Sequence, residues 1–178
     1  MKYETIEQIY EGNAKVRGRL KALLGSLTDE QISARPEGEK WTIGEIVEHI
    51  TIVDESTMKI CAKLLHKAQE AGKTSDGSVK ISDNFVQKGT EIARMKVEAP
   101  TMVQPTGSKS IAESLAKLDA TTAALDGMRD LFETTGCDGF TFPHPFFGDI
   151  TAQEWLALKG GHEMRHLKQI EKVLEKIN

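Results

Sequence analysis

Apolar residues recur at alternating spacings of three and four through four long stretches of the chain, the period of an amphipathic helix. The first stretch runs from about Glu4 to Leu24, with Ile6, Ile9, Val16, Leu20, Leu23 and Leu27 in phase and Gly25 as its stop. The second runs from Ile43 to about Ala71 on Ile46, Ile50, Val53, Ile60 and Leu64, and Gly72 breaks it. The third runs from Ile111 to Phe132 on Leu115, Leu118 and Leu125. The fourth begins at Ala152 and carries Trp155, Leu158, Ile170, Val173 and Ile177. Three of the four open on a capping box: Thr42-x-x-Glu45, Ser110-x-x-Glu113 and Thr151-x-x-Glu154. In each box the hydroxyl can accept the amide three residues on, while the carboxylate returns to the cap amide. Thr28-x-x-Gln31 predicts a short helix ending before Pro36.

Residues 72–109 carry no comparable pattern. A helix near Asn84–Met95 and an extended piece bounded by Pro100 and Pro105 are expected there, with two to four short extended pieces free to pair. Elsewhere neither strand nor internal repeat is predicted. The pattern therefore specifies an all-α fold: a four-helix bundle over residues 1–178, with a long crossover between the second and third long helices.

The bulk numbers narrow the function classes. A chain of 178 residues with 39% hydrophobic and 28% charged side chains suits one globular domain. A net charge of −4 without a basic cluster argues against a nucleic-acid partner. No stretch approaches the roughly 20 apolar residues of a membrane span. Met1-Lys2-Tyr3-Glu4 enters a charged helical pattern with no signal core, so a cytoplasmic location is expected. Cys61 and Cys137 lie too far apart in sequence for a CxxC motif and read as free thiols in a reducing compartment.

Candidate chemistry sits on the histidines. His162 and His166 are four apart, so their rings project from one helix face, in the arc of Trp155, Leu158, Ile170 and Val173. His49 stands at the edge of the arc shared by Ile46, Ile50 and Val53. Imidazoles facing an apolar interior need hydrogen-bond partners or a metal. Three neutral imidazoles on two helices would leave positions open at a bound cation. On the residues alone, satisfied core histidines and a metal site stand level.

His162-Glu163-Met164-Arg165-His166 also matches the H-E-x-x-H string of zinc peptidases, with Glu163 as water activator. The match reads as accidental, because Glu171 and Glu175 continue the same helix and cannot fold back as a third ligand. Glu163 could instead orient a ligand imidazole, act as general base, or pair with an arginine of a neighbouring helix. Gln169, one turn beyond His166, is a candidate outer partner, though a surface position is the commoner fate. His144, between Pro143 and Pro145, could be a pocket wall or proton donor; a rigid loop packed on the bundle is the plainer reading. Asn13 interrupts the first apolar stripe and reads as a register-fixing group. His66 reads as solvent-facing, Cys61 as a packed small side chain, and Trp41 and Trp155 as packing anchors.

Three motifs in order resemble the DinB-like (DinB/YfiT) family. They are Trp41-Thr42-Ile43-Gly44-Glu45-Ile46-Val47-Glu48-His49-Ile50, then Phe142-Pro143-His144-Pro145-Phe146-Phe147-Gly148-Asp149-Ile150-Thr151 with Glu154-Trp155, then Gly161-His162-Glu163-Met164-Arg165-His166-Leu167-Lys168-Gln169-Ile170. Residues 72–109 match least. The resemblance implies a four-helix bundle whose divalent metal is held by one histidine of the second long helix and an H-x-x-x-H pair of the fourth. Those positions fall on His49, His162 and His166. It further implies zinc or nickel as the cation, a homodimer, and in some members S-transfer or isomerisation with a low-molecular-weight thiol. Two functions are then expected: a metal-dependent enzyme activating thiol or water against a small electrophile, with Glu163 as candidate base, or a non-catalytic, stress-related metal or small-ligand binding bundle.

Overall fold

Four amphipathic stripes of this length can be buried only against one another. The computed structural model describes residues 3–177. In chain order the elements are α1 (Ile6–Leu24), α2 (Asp29–Ser33), α3 (Ile43–Glu70), α4 (Asp83–Ile92), a 3₁₀ turn (Thr101–Val103), α5 (Ile111–Asp126), α6 (Arg129–Thr134), β1 (Thr141–His144), β2 (Gly148–Thr151) and α7 (Ala152–Ile177). The four long helices α1, α3, α5 and α7 form the bundle, with α3 against both α5 and α7, and α7 against α1.

Side-chain pairs give the helix directions. Asp54 meets Lys159 while Cys61 meets the Ala152 carbonyl, so α3 and α7 are antiparallel. Asn13 donates to the Leu156 carbonyl while Arg17 reaches Glu163, so α1 and α7 run together. Tyr10 donates to the Leu125 carbonyl and Lys21 to Asp119, so α1 and α5 are antiparallel. It follows that α3 and α5 point the same way. The chain leaving α3 must therefore return along the bundle before α5 can begin, which is the work of residues 71–110.

The helix starts lie where the capping boxes put them. Thr42 Oγ1 accepts the Glu45 amide at 3.1 Å and the Glu45 carboxylate accepts the Thr42 amide at 2.7 Å. Ser110 with Glu113, and Thr151 with Glu154, repeat the exchange. The other Glu154 oxygen accepts the Ser82 amide and hydroxyl, so one carboxylate fastens the starts of α7 and α4 together.

The structure departs from the sequence expectation in three places. The single helix expected over 111–132 is two, because the chain turns at Gly127–Met128; the new direction buries Phe132 completely against Tyr10. A two-stranded antiparallel hairpin occupies 141–151, where no strand was expected. Its strands are four residues each and one contains Pro143, too short and too proline-rich to show an alternating pattern. No strand pairing forms within 72–109; among the described residues that segment makes one isolated bridge, Ser78 to Thr5, plus α4 and the 3₁₀ turn.

The apolar interior is divided. One cluster gathers Ile6, Ile9, Cys61, Leu65, Leu125, Phe132 and Leu156, and the other Leu20, Ile43, Ile50, Leu118, Leu167 and Ile170. Between them every bundle helix contributes polar groups to one buried layer. Arg17 donates to Glu163 (2.7 and 2.9 Å), to Asp54 (2.5 Å), to the Leu118 carbonyl (3.1 Å) and to Thr122 (3.2 Å). Lys159 completes the layer, 3.2 Å from Asp54 and bonded to Glu163. Desolvation raises both carboxylates. At Glu163 the cations reverse this and hold it below its usual range, whereas at Asp54 desolvation prevails and keeps the carboxyl raised against the pull of Lys159 and Arg17. One turn from Arg17, Asn13 lies so close over Gly160 that a Cβ there would fall 2.1 Å from its Oδ1, so glycine is what lets α1 and α7 approach.

Removing one member of such a layer leaves an uncompensated buried charge. Arg17→Met is expected to destabilise by about 3–5 kcal/mol. Lys21→Met, which deletes an exposed pair with Asp119, should cost no more than about 1 kcal/mol. Urea midpoints at neutral pH for both variants check the contrast.

Candidate metal centre

The antiparallel register of α3 and α7 sets His49 level with the turn between His162 and His166. The Nε2 atoms of His49 and His162 lie 3.2 Å apart, and those of His166 and His162 3.1 Å apart. Each of the three rings offers a ligand atom within 4.8 Å of the others. His49 and His166 are buried, at 3% and 8% exposure.

The partners of the opposite ring nitrogens decide where the protons sit. His49 Nδ1 is 2.7 Å from the Val103 carbonyl oxygen, which can only accept, so Nδ1 carries the proton and Nε2 offers a lone pair. His166 Nδ1 donates in the same way to Gln169 Oε1 at 2.8 Å. Two lone pairs thus face the His162 Nε2, at separations close to the about 3.3 Å edge of a tetrahedron whose ligands sit about 2.0–2.1 Å from a zinc-like ion. Without a cation a single proton would have to serve three nitrogens. The donor set fits a divalent metal.

Electrostatics keeps these ligands unprotonated. Burial lowers His49, partly offset by its bond to Val103. Burial, then repulsion from His49, brings His166 to about 4, with the Gln169 bond opposing. His162 is lowered by burial and then by the charges of His166 and His49. Trp41 packs against His49, ring centroids 5.0 Å apart.

The crossover closes over the centre at two points. The 3₁₀ turn supplies the Val103 carbonyl, and Arg165, beside His166, donates to the Ile92 and Met95 carbonyls at 2.8 and 2.7 Å. Neither was foreseen: a backbone acceptor leaves no trace in residue type, and Arg165 looks like any helix-surface cation. Gln169 is the outer partner of His166. Glu163 is bound to Arg17 and Lys159, so of its readings the structure realises the arginine partner, and its carboxylate belongs to the ionic layer. Asn13 fixes register through Leu156. His66 is exposed, Cys61 packs fully buried, and Trp155 donates its indole N–H to the Phe142 carbonyl.

A family model described as the DinB superfamily matches residues 14–170, a span that takes in α3, the hairpin and the three histidines. The chain belongs to the DinB superfamily. It is similar to the uncharacterized protein YuaE of Bacillus subtilis (strain 168), 28% identical over 163 residues that cover 86% of this chain and 90% of that protein. A solved structure, TT2238, described as a four-helix bundle protein, superposes with a TM-score of 0.62 at 23% identity, covering 93% of this chain and 98% of that one. That likeness establishes the fold.

The pKa shifts have a sign that NMR can read. In metal-free protein the His166 ring should remain neutral until about pH 4, where a free imidazole would protonate near 6.5. Between those values the unfolded chain takes up a proton that the folded one refuses. His166 therefore withdraws stability as pH falls from about 6.5 toward about 4. A His166 ring resonance moving near pH 6.5 would contradict the burial argument.

Proposed function

We propose that this DinB-superfamily protein is a metal-dependent enzyme that holds one divalent cation, zinc or nickel, on His49, His162 and His166 and activates a low-molecular-weight thiol, or water, against a small electrophile. The observation that carries the proposal is the convergence of three Nε2 atoms with the His49 and His166 tautomers preset by Val103 and Gln169. When bound, the cation supplies Lewis acidity that lowers the pKa of an incoming thiol or water. Neutral imidazoles leave its double charge uncancelled, and no carboxylate joins the cluster among the described residues. Val103 and Gln169 orient their rings, and Trp41 packs beside His49.

With Glu163 engaged by Arg17 and Lys159, the reaction favoured is one that needs no carboxylate base. A thiol, already more acidic than water, suits that condition better than hydrolysis. The proposal places the protein in the cytoplasm, in keeping with the buried free thiols Cys61 and Cys137, and no described helix is long and apolar enough to cross a membrane. It also carries a homodimer, tested by light scattering: a monomer mass at all concentrations would remove that part.

Zinc and nickel titrated by calorimetry into chelator-stripped protein test the centre. His49→Ala, His162→Ala and His166→Ala are each expected to lower affinity by more than about 100-fold. Gln169→Ala should lower it by about 10–100-fold, and His66→Ala should leave it unchanged. Triad variants that bind as tightly as His66→Ala would refute the site. Turnover is tested separately, with thiols and electrophiles offered to metal-loaded and chelated protein; metal uptake without turnover on any pair would favour a binding bundle.

A further inference from the structure

The β1–β2 hairpin holds a fourth imidazole that the metal centre does not use. In His144 the Nδ1 accepts the amides of Phe146 (3.1 Å) and Phe147 (3.4 Å) across its own turn. Amides only donate, so the His144 proton is confined to Nε2, on the ring edge remote from the turn. Gly148, at φ +75°, gives the turn its shape, and Pro145 stiffens it. Three rings clamp the imidazole: Phe147 at 5.1 Å, Trp155 at 5.2 Å and Phe146 at 5.9 Å between centroids. Its orientation is therefore fixed.

Trp155 lies seven residues before His162, two turns along the same face of α7, so His144 stands on the face that carries the ligands. Among the described residues no partner takes the His144 Nε2–H. On the same face, the His162 Nδ1 is buried without a hydrogen-bond partner, and it would be an N–H if Nε2 served a cation. A fixed imidazole donor without a protein acceptor, walled by Phe147, Trp155 and Phe146 on the helix face that carries His162, is complementary to an oxygen acceptor on a flat apolar body.

We propose that His144 Nε2–H is a substrate-recognition donor, binding a carboxylate or carbonyl oxygen of a small planar molecule seated beside His162. This deepens the enzyme reading and rests on it for the meaning of "substrate". Burial lowers His144 to about 4, so near neutral pH the group is a neutral donor that positions the molecule and does not protonate it.

Benzoate is the probe, titrated by calorimetry into zinc-loaded and metal-free wild type, His144→Phe and His144→Gln, with zinc affinity and melting temperature measured for each. Zinc-loaded wild type should bind benzoate. His144→Phe should bind it at least about tenfold more weakly with zinc affinity unchanged, as loss of a hydrogen bond to a charged group implies. His144→Gln, whose amide N–H can reach the same place, should recover most of the loss. A ¹⁵N spectrum of wild type supplies a readout independent of any variant's folding: benzoate should shift the His144 Nε2 resonance. Equal benzoate affinity in wild type and His144→Phe, or no benzoate binding and no shift, would overturn the proposal. Should the wild type take up no zinc, the metal reading fails by itself. His144 is then judged on the metal-free titration, where binding that depends on it sustains the proposal and its absence overturns it.

Discussion

Arg17 is the group on which the bundle turns. Its guanidinium carries five N–H donors in a planar fork, and here the fork reaches α3, α5 and α7 from α1. Apolar stripes alone let helices slide or rotate at small cost, since one leucine packs nearly as well as the next. A buried charge does not permit that freedom, because a slip of one residue would leave Asp54 or Glu163 without a cation in a medium that penalises it by several kcal/mol. Two apolar clusters packed on either side of the layer supply the driving force, and the layer selects one register from those they would tolerate.

That register is what places the histidines. Stepping from Asp54 to Cys61 along α3 moves the facing residue on α7 from Lys159 back to Ala152, a matched seven-residue step in opposite directions. Five residues the other way, His49 falls level with Met164, midway between His162 and His166. Glu163 sits between the two α7 ligands in sequence, so its bonds to Arg17 and Lys159 also hold the rotation of that turn. The histidine cluster is thus positioned by an ionic layer that contributes none of its members. This explains why a glutamate beside a histidine of the cluster is bound to Arg17 and Lys159.

Much of this was legible in the residues, and the reason is local. Capping boxes, apolar phase and the i, i+4 spacing of His162 and His166 all act within one helix, so the chain displays them directly. Asn13 as a register group and Glu163 as an arginine's partner were legible as alternatives, because a polar residue in an apolar arc announces burial without naming its partner. What escaped depends on contacts between distant segments or on backbone atoms. The Val103 carbonyl that fixes the His49 tautomer has no residue signature. The 141–151 hairpin is held by main-chain bonds across a proline-bearing strand. The break at Gly127–Met128 serves Phe132, whose partner Tyr10 lies at the other end of the sequence.

The charges around the centre limit its chemistry. A site with carboxylate ligands would cancel part of a cation's charge and suit structural binding or phosphate work; three neutral imidazoles cancel none of it. Glu163 is engaged by Arg17 and Lys159, and the charge of Arg165 adds to burial in lowering His162 and His166, so the function proposed is one that asks for no carboxylate base. In the function proposed, a nucleophile would lose its proton to solvent with the help of the cation that the histidines would hold. Thiols ionise near pH 8–9 unaided, so a modest shift suffices for them, whereas water must fall from 15.7. The electrostatic pattern of the site, more than any single residue, is what tilts the reading from hydrolysis toward thiol transfer.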